Sequence, residues 1–467
     1  MRTDQSGNAG NEIHRRKVEV GYPVTLNLTK GDIRAAMAVK DFIEELRWRG
    51  LLQDSMPGTA EHLNNGPANG YIGFDPTADS LHVGNLVQIM ILVHFQRCGH
   101  KPIALVGGAT GMVGDPSGKS AERNLLDEDA LRHNQACIQA QLERFLDFKA
   151  ADNPARLVNN YDWFKDMGFL RFIREVGKHI SVNYMLAKDS VKNRMETGLS
   201  FTEFSYQLVQ GFDYYWLWKN MGCTVQMGGS DQWGNITTGT ELIRRMSTAS
   251  TGSTPAFAVT TPLLTKADGS KFGKSESGNV WLDAARTSPY KFYQFWLNAS
   301  DDDVARFARI FTTWEREEIE AREAEHRAKP GTLQKLFAAD ITRRTHGEAE
   351  LNNAIEASNV LFGNATADAL GKFSRDQLLD IFEGVPQGEV SRVNLDAGVP
   401  IIELLSDHSG FLPSRGEAKR ALKENSISVN KQKVGEERIV ASADLLTGGL
   451  LLLQRGKRNY FLVKVVG

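Results

Sequence analysis

The apolar positions of this chain recur with two different periods, and the alternation between them organises its first half. Tyr71-Ile72-Gly73-Phe74 and Ile103-Ala104-Leu105-Val106 are short apolar runs that predict buried strands. Between them Leu86, Ile89, Met90 and Val93 fall at i, i+3, i+4 and i+7, one apolar face of a helix. Strand, helix and strand at this spacing make a βαβ unit, and such units build parallel sheets. The alternation runs from about residue 41 to 245, with Phe201 to Trp218 reading as a helix and Thr224-Val225-Gln226-Met227 as a strand. The predicted class is α/β. Ligands of such sheets bind outside the carboxyl ends of the strands, so residues that follow strands are the first candidates.

Beyond Pro289 the pattern turns helical and charged, as in Glu315-Arg316-Glu317-Glu318 and Glu320-Ala321-Arg322-Glu323, where opposite charges at i, i+4 suit solvent-facing helices. Glu383-Gly384-Val385-Pro386-Gln387-Gly388 reads as a linker. From Pro400 onward eleven Lys and Arg stand against seven Asp and Glu, a basic terminal module. The expected organisation is an extension over 1–37, an α/β domain over 38–285, a helical domain over 286–385 and a small module over 400–467. The extension is polar and mixed in charge, and a flexible segment is expected there. It has no continuous apolar core of a secretory signal, and its acids Asp4, Glu12 and Glu19 argue against organelle targeting.

Composition narrows the classes. A chain of 467 residues with 41% hydrophobic and 24% charged positions fits an ordinary globular protein of roughly two to four domains. Its net charge of -2 argues against a surface coated for nucleic acid, while leaving a local basic patch open. No run of apolar residues is long enough for a membrane span. Cys98, Cys137 and Cys223 lie far apart, which speaks against a disulfide scaffold or a cysteine zinc site and favours a reducing compartment. The expected location is cytoplasmic.

The chemistry gathers around a few motifs. His82-Val83-Gly84-Asn85 opens the first helix, where unpaired N–H groups and the positive dipole end favour phosphate. His82 either caps that helix or meets such a phosphate; Asp75-Pro76-Thr77 places a turn and a hydroxyl on the same crevice. The stretch from Gly107 to Ser120 ends like a Walker A loop, yet position 113 is Val and the glycine comes one residue late, at 114. Gly108, Gly111 and Gly114 repeat every three residues, so the GxGxxG spacing fails too. A plain P-loop NTPase is excluded. What remains is either a basic loop over phosphates, carrying Asp115, Lys119 and Arg123, or a solvated surface loop.

Tyr206, Gln210 and Asp213 fall at i, i+4 and i+7 among Phe204, Leu208, Val209, Phe212 and Trp216. Polar groups in such surroundings need partners. A ligand with an ammonium and a hydroxyl would supply them, as would a structural network. Asp231, in the turn after the next strand, suits either a ribose hydroxyl or a helix cap. Lys271-Phe272-Gly273-Lys274-Ser275 places two ammonium groups on a glycine-containing loop, which reads as a mobile arm suited to a triphosphate or leaving pyrophosphate, or as a solvated pair.

At this point several motifs, in order, resemble one family. Residues 71–85 (YIGFDPTADSLHVGN) resemble the first signature of class I aminoacyl-tRNA synthetases in its tyrosine-specific form, and Lys271–Ser275 resembles the second, the KMSKS loop. The stretches 107–119, 200–213 and 228–235 are similar to the bacterial-type tyrosyl branch, and the likeness runs from about residue 41 to the end. It implies a Rossmann-like catalytic domain, a helical domain and a small α+β module. It also implies tyrosine activation by ATP, then transfer to tRNA(Tyr), with L-tyrosine, ATP and tRNA as partners and a homodimer as assembly. Mg2+ would come with the nucleotide, and no protein-bound metal is expected. In-line displacement at phosphorus rests on positioning and charge stabilisation.

By the same resemblance Thr77 and His82 contact the γ-phosphate, and Lys119, Arg123, Lys271 and Lys274 close on the pyrophosphate. Tyr71 and Asp213 read the phenol, while Asp115, Tyr206 and Gln210 hold the ammonium. Gly73, Asp75, Asn85, Asp231, Gln232 and Lys274 line the ATP and adenylate region. Asn85 stands where the class pattern has histidine. Leu412 to Asn430 resembles an S4 RNA-binding domain, with Arg415, Lys419 and Lys423 as a basic stripe four apart on a helix. The alternatives are a tryptophanyl-type enzyme and an RNA-binding or splicing protein on the same scaffold. Asp213 with Tyr71 favours a phenol over an indole.

Overall fold

The computed structural model describes residues 40–467 apart from 116, 118–126, 196–197, 248–254, 271, 276–277, 363–369 and 457–458. The expected extension over 1–37 lies outside the described residues. Six strands make the central sheet: β1 (Asp54–Ser55), β2 (Asn69–Phe74), β3 (Lys101–Val106), β4 (Arg156–Asn159), β5 (Cys223–Gly229) and β6 (Phe257–Thr261). Their order is β1-β6-β5-β2-β3-β4. All neighbours run parallel except the short edge strand β1, which pairs antiparallel with β6. From β2 the chain winds outward through β3 and β4, then returns to the other side for β5 and β6. That reversal places the ligand crevice beside β2 and β5, at their carboxyl ends.

The helix Val83–Arg97 buries Leu86, Ile89, Met90 and Val93, as its period predicts, but Val87, Ile91 and Leu92 are buried as well. The reason is a second layer. Helix Asp301–Phe311 packs on its other side, and Phe307, Phe311, Phe292 and Trp296 join Ile89 and Phe42 in one apolar cluster. The helical region therefore shares the core of the α/β region, and residue 286 marks a change of architecture with no gap in packing. Asp41–Gly467 forms one compact unit.

The linker reading at 383–388 is corrected. Gln387–Ser391 is a strand, parallel to the last strand Asn459–Val466, with Gly388 opposite Val463. Without it that last strand would leave a row of unpaired main-chain groups at its edge. Gly388 is needed for the fit, since a Cβ there would stand 2.4 Å from the Ser409 carbonyl oxygen and 2.9 Å from the Phe461 ring. The C-terminal core takes in Val390 and Leu395, so the module starts near 387 instead of 400. A second apolar seam joins it to the helical region through Val360, Phe373, Leu378 and Phe382 against Leu450, Leu452, Tyr460 and Leu462.

Gly388→Val should lower the stability of the C-terminal module by about 1–3 kcal/mol through overpacking. Urea unfolding monitored on that module is the check, and an unchanged midpoint would contradict the docked strand.

Candidate active site

The crevice is built from the loop ends of β2, β3, β4 and β5 together with helix Phe201–Met221. Phe212, Tyr214, Leu217 and Trp218 bury one side of that helix, which carries Asp213 into the interior at 1% exposure. A carboxylate there requires donors. Its Oδ1 accepts from Trp163 Nε1 at 2.8 Å and its Oδ2 from Asn160 Nδ2 at 3.0 Å. Asn160 also donates to Thr110 Oγ1 at 3.1 Å, Thr110 donates to Asp75 Oδ1 at 2.7 Å, and Tyr206 donates its hydroxyl to Asp75 Oδ2 at 2.8 Å. One polar chain thus links Trp163, Asp213, Asn160, Thr110, Asp75 and Tyr206. Gly107 makes room for it, since a Cβ there would sit 2.2 Å from Asp75 Oδ1.

Burial sets the electrostatics. It pushes the Asp213 carboxyl up to about 8 against the two donors that favour the anion, with the Asp75 charge adding to the rise. Tyr71, fully buried on β2, has its phenol raised well above its ordinary value by burial and then by Asp213. Tyr206 is raised by burial first, then by the Asp75 and Asp115 charges. The Tyr71 hydroxyl and Gln210 Oε1 are buried without a hydrogen-bond partner among the described residues. A bound ligand with donors and acceptors at those points would complete them.

Asp115 closes the next side. Its Oδ2 accepts from Gln232 Nε2 at 2.7 Å, its Oδ1 accepts the Ser117 N–H at 2.9 Å, and Asn235 Nδ2 reaches Oδ1 at 3.4 Å. Asp231 lies on the rim, exposed overall, with its carboxyl raised first by desolvation where it turns inward and next by the Asp115 charge. Gly73 is exposed at the end of β2, and a Cβ there would meet only Leu105 Cδ2 at 3.7 Å. Packing does not demand this glycine, so its bare backbone keeps the crevice floor open. Thr77 is exposed at the lip, its N–H bonded to the Asp75 carbonyl at 2.9 Å.

The two signatures meet at the helix start. His82 is the N-cap of Val83–Arg97: its Nδ1 accepts the Gly84 N–H at 3.0 Å, and Asn85 Oδ1 accepts the His82 N–H at 3.1 Å. Capping therefore occupies Nδ1, so any phosphate contact would have to use Nε2. Asn85, expected in the nucleotide region, has its oxygen engaged in the cap. Gly84 carries the His82 ring, whose Cε1 would lie 2.8 Å from any Cβ. Gly273 (φ +90°) packs on the same turn, where a Cβ would come within 3.3 Å of Val83 Cγ2 and 3.4 Å of the Gly84 nitrogen.

The lysine loop is anchored at its centre. Phe272 is buried among Phe295, Trp296, Phe307 and Phe311, stacking on Phe311 at 5.5 Å. Lys274 lies in the two-residue strand Lys274–Ser275, paired with Gly278–Asn279. Lys119, Arg123 and Lys271 lie outside the described residues. On the C-terminal module Lys419 and Lys423 are exposed on helix Arg415–Lys423. Arg415 is also exposed, but it is paired with Glu403 at 3.4 Å and with Asp407, so its charge in the stripe is partly met within the protein.

Trp163, Asn160 and Thr110 were not among the residues singled out from the sequence. Asn159-Asn160 after the apolar run Leu157-Val158 was the available signal, since polar residues at a strand's carboxyl end face the crevice.

Residues 63–363 match the family model for class I tRNA synthetases of the W and Y type. The chain belongs to that family. Residues 377–463 match a tyrosine–tRNA ligase SYY-like C-terminal domain, which begins before the corrected module boundary and well before 400. The chain is 59% identical over 431 residues to the tyrosine–tRNA ligase of Bacteroides thetaiotaomicron, covering 91% of this chain and 99% of that one. It is 57% identical over 434 residues to the ligase of Flavobacterium johnsoniae, at 92% and 100% coverage. A C-terminally truncated mitochondrial tyrosyl-tRNA synthetase of Aspergillus nidulans superposes with a TM-score of 0.63 at 31% identity, covering 72% of this chain and all 100% of that one. This class I synthetase is an enzyme, and the α/β architecture with its helical and C-terminal regions is that of the family.

The raised Asp213 value carries a pH signature. The fold prefers the protonated acid, so its stabilising share is complete below 3.8 and is lost as pH rises toward about 8. Between those values the unfolded chain binds fewer protons, and unfolding free energy falls with pH by up to about 1.4 kcal/mol per unit for one proton. Asp213→Asn should flatten that slope for the ligand-free enzyme, whatever its constant offset. Denaturation midpoints at pH 5, 6.5 and 8 test it; parallel slopes for the two proteins would sink the assignment.

Proposed function

We propose that this chain ligates L-tyrosine to tRNA(Tyr) through a tyrosyl-adenylate, releasing pyrophosphate and AMP. The observation that carries the specificity is the buried Asp213 carboxyl beside the Tyr71 phenol, at the end of a sealed polar chain. A substrate phenol donates to one and accepts from the other. Phenylalanine leaves both unpaired, which costs far more than a missing methylene would; the handicap against phenylalanine is a general property of the tyrosine enzymes. Of the two amino acids the family activates, a phenol fits this pair better than an indole, and the tyrosine-type C-terminal match supports the same choice.

The chemistry uses ATP. The tyrosine carboxylate attacks the α-phosphate in line, and pyrophosphate leaves from the opposite side. Asp115, Tyr206 and Gln210 face the ammonium, Gly73, Asp75, Asp231 and Gln232 border the adenylate, and Thr77 and His82 stand toward the γ-phosphate. Lys119, Arg123, Lys271 and Lys274 complete the charge on pyrophosphate, where developing negative charge is stabilised by groups already aimed at it. Mg2+ arrives with the nucleotide and adds charge neutralisation there. The handle for tRNA is the exposed face of helix Arg415–Lys423.

The reading includes a homodimer, supported by an apolar strip on helix Phe169–Glu175 where Phe169 is 62%, Leu170 80% and Ile173 45% exposed. It also includes a cytoplasmic location, supported by Cys98, Cys137 and Cys223 not being paired with one another in disulfides. No helix among the described residues is long and apolar enough to cross a membrane.

ATP–pyrophosphate exchange should require tyrosine and stay at background with tryptophan or phenylalanine, and no exchange with tyrosine overturns the proposal. Asp213→Ala should cut tyrosine-dependent kcat/KM by about 100-fold or more, from loss of the buried hydrogen-bond partner that the phenol needs. For the tRNA face, Lys419→Gln and Lys423→Gln should each lower the slope of log K against log salt by about one while leaving exchange unchanged. Unaltered slopes would remove that face from the interface.

A further inference from the structure

We infer that helix Asp301–Phe311 sets the position of the lysine loop, through Phe272 at the loop's centre and Asp303 at its base. Three contacts run from this one helix to the stretch 265–272. Asp303, 4% exposed, accepts the Ala267 N–H on Oδ1 at 2.9 Å. Arg306 donates to the Thr265 carbonyl and, at 2.9 Å, to the same Asp303 oxygen. Phe307 and Phe311 receive the Phe272 ring at 5.1 and 5.5 Å between centroids. They lie on successive turns, so loop base and loop centre are held by one rigid face.

The other side of the loop meets the first signature. The Val280 N–H donates to the Gly273 carbonyl at 3.2 Å, and the Val83 N–H donates to the Val280 carbonyl at 2.9 Å. The Leu282 N–H then donates to the Leu81 carbonyl at 2.8 Å, and the rings of His82 and Trp281 meet edge-on at 5.9 Å. The loop is thus clamped between a helix of the helical region and the turn that carries His82. Phe272 and Asp303 are positioning residues: both side chains are buried, and both act through the placement of Lys274 and its neighbours. A loop held from one side only would present its charges at variable distance from the phosphates, and small misplacements cost large factors in rate.

This inference rests on the proposed tyrosine activation, and the two fail differently. Absence of tyrosine-dependent exchange in the parent enzyme overturns the function; the inference is tested only by comparing variants with an active parent. Phe272→Ala and Asp303→Ala should raise the ATP KM and lower the exchange kcat, about 10-fold or more combined, with tyrosine affinity by equilibrium dialysis within about two-fold of the parent. Phe272→Met and Asp303→Asn should recover most of the loss, because the first refills the aromatic pocket and the second keeps an acceptor for Ala267. Should the alanine variants fail to fold, Arg306→Gln, at a half-exposed position, carries the same test in milder form. Folded variants with unchanged ATP parameters would overturn the inference. So would an equal loss of tyrosine binding, which marks general structural damage.

Discussion

An acid buried at the end of a parallel sheet is tolerable only if its neighbours donate to it, and that constraint shapes the amino-acid side of this enzyme. Asp213 cannot be left with bare oxygens, since an unsatisfied buried polar group costs about 1–3 kcal/mol and more when charged. Trp163 and Asn160 therefore have to arrive from the loop after β4, and Asn160 must in turn be oriented by Thr110 after β3. Thr110 reaches Asp75 after β2, and Asp75 takes the Tyr206 hydroxyl from the same helix that carries Asp213. The ends of three strands and one helix are thereby fixed to one another. A site that must tell a phenol from a phenyl ring needs that stiffness, because a wall able to relax could cover its own unmet hydrogen bonds.

The side proposed for phosphate obeys a different logic. Its anchor is the start of helix Val83–Arg97, where the backbone offers N–H groups and His82 and Asn85 close a reciprocal cap. That cap is structural, and it leaves the helix end aimed at the crevice. Stability of the helix comes from elsewhere, through burial on both faces between the sheet and the helical region. Hence the helical region cannot be regarded as an attachment. Removing it would open the shared apolar cluster and release Phe272.

How much of this could be read from the sequence varied with range. Period alone placed β2, β3, β5 and the helices at 83 and 201, and the spacing of Tyr206, Gln210 and Asp213 put them on one face. Those are local patterns. The donors to Asp213 escaped because they belong to a segment fifty or more residues upstream, and nothing in the local pattern at Asn160 or Trp163 states where its side chain goes. Gly388 misled for a similar reason: glycine in a Gly-Val-Pro-Gln-Gly string signals a turn, whereas here it admits the Phe461 ring beside a strand. Asn85 and Phe272 show the converse. Each lies inside a recognisable motif, yet one works as a cap and the other as an apolar anchor.

Taken together, these contacts divide the labour between a rigid reader and a placed clamp. The proposed tyrosine pocket is closed by hydrogen bonds among elements of one sheet, so its selectivity would be built before any ligand enters. The proposed clamp on phosphate is held on helix Asp301–Phe311 by apolar stacking at its centre and by the Asp303 and Arg306 hydrogen bonds at its base. The same helical region meets the C-terminal sheet through Phe382 and Tyr460, whose rings lie 6.0 Å apart. Phe272, Trp296 and Phe337 share one apolar cluster, while the helix Glu348–Phe362 next in sequence carries Val360 to the C-terminal seam. A tRNA bound as proposed at Lys419 and Lys423 would therefore pull on a body that is packed, helix by helix, against the loop proposed to handle pyrophosphate.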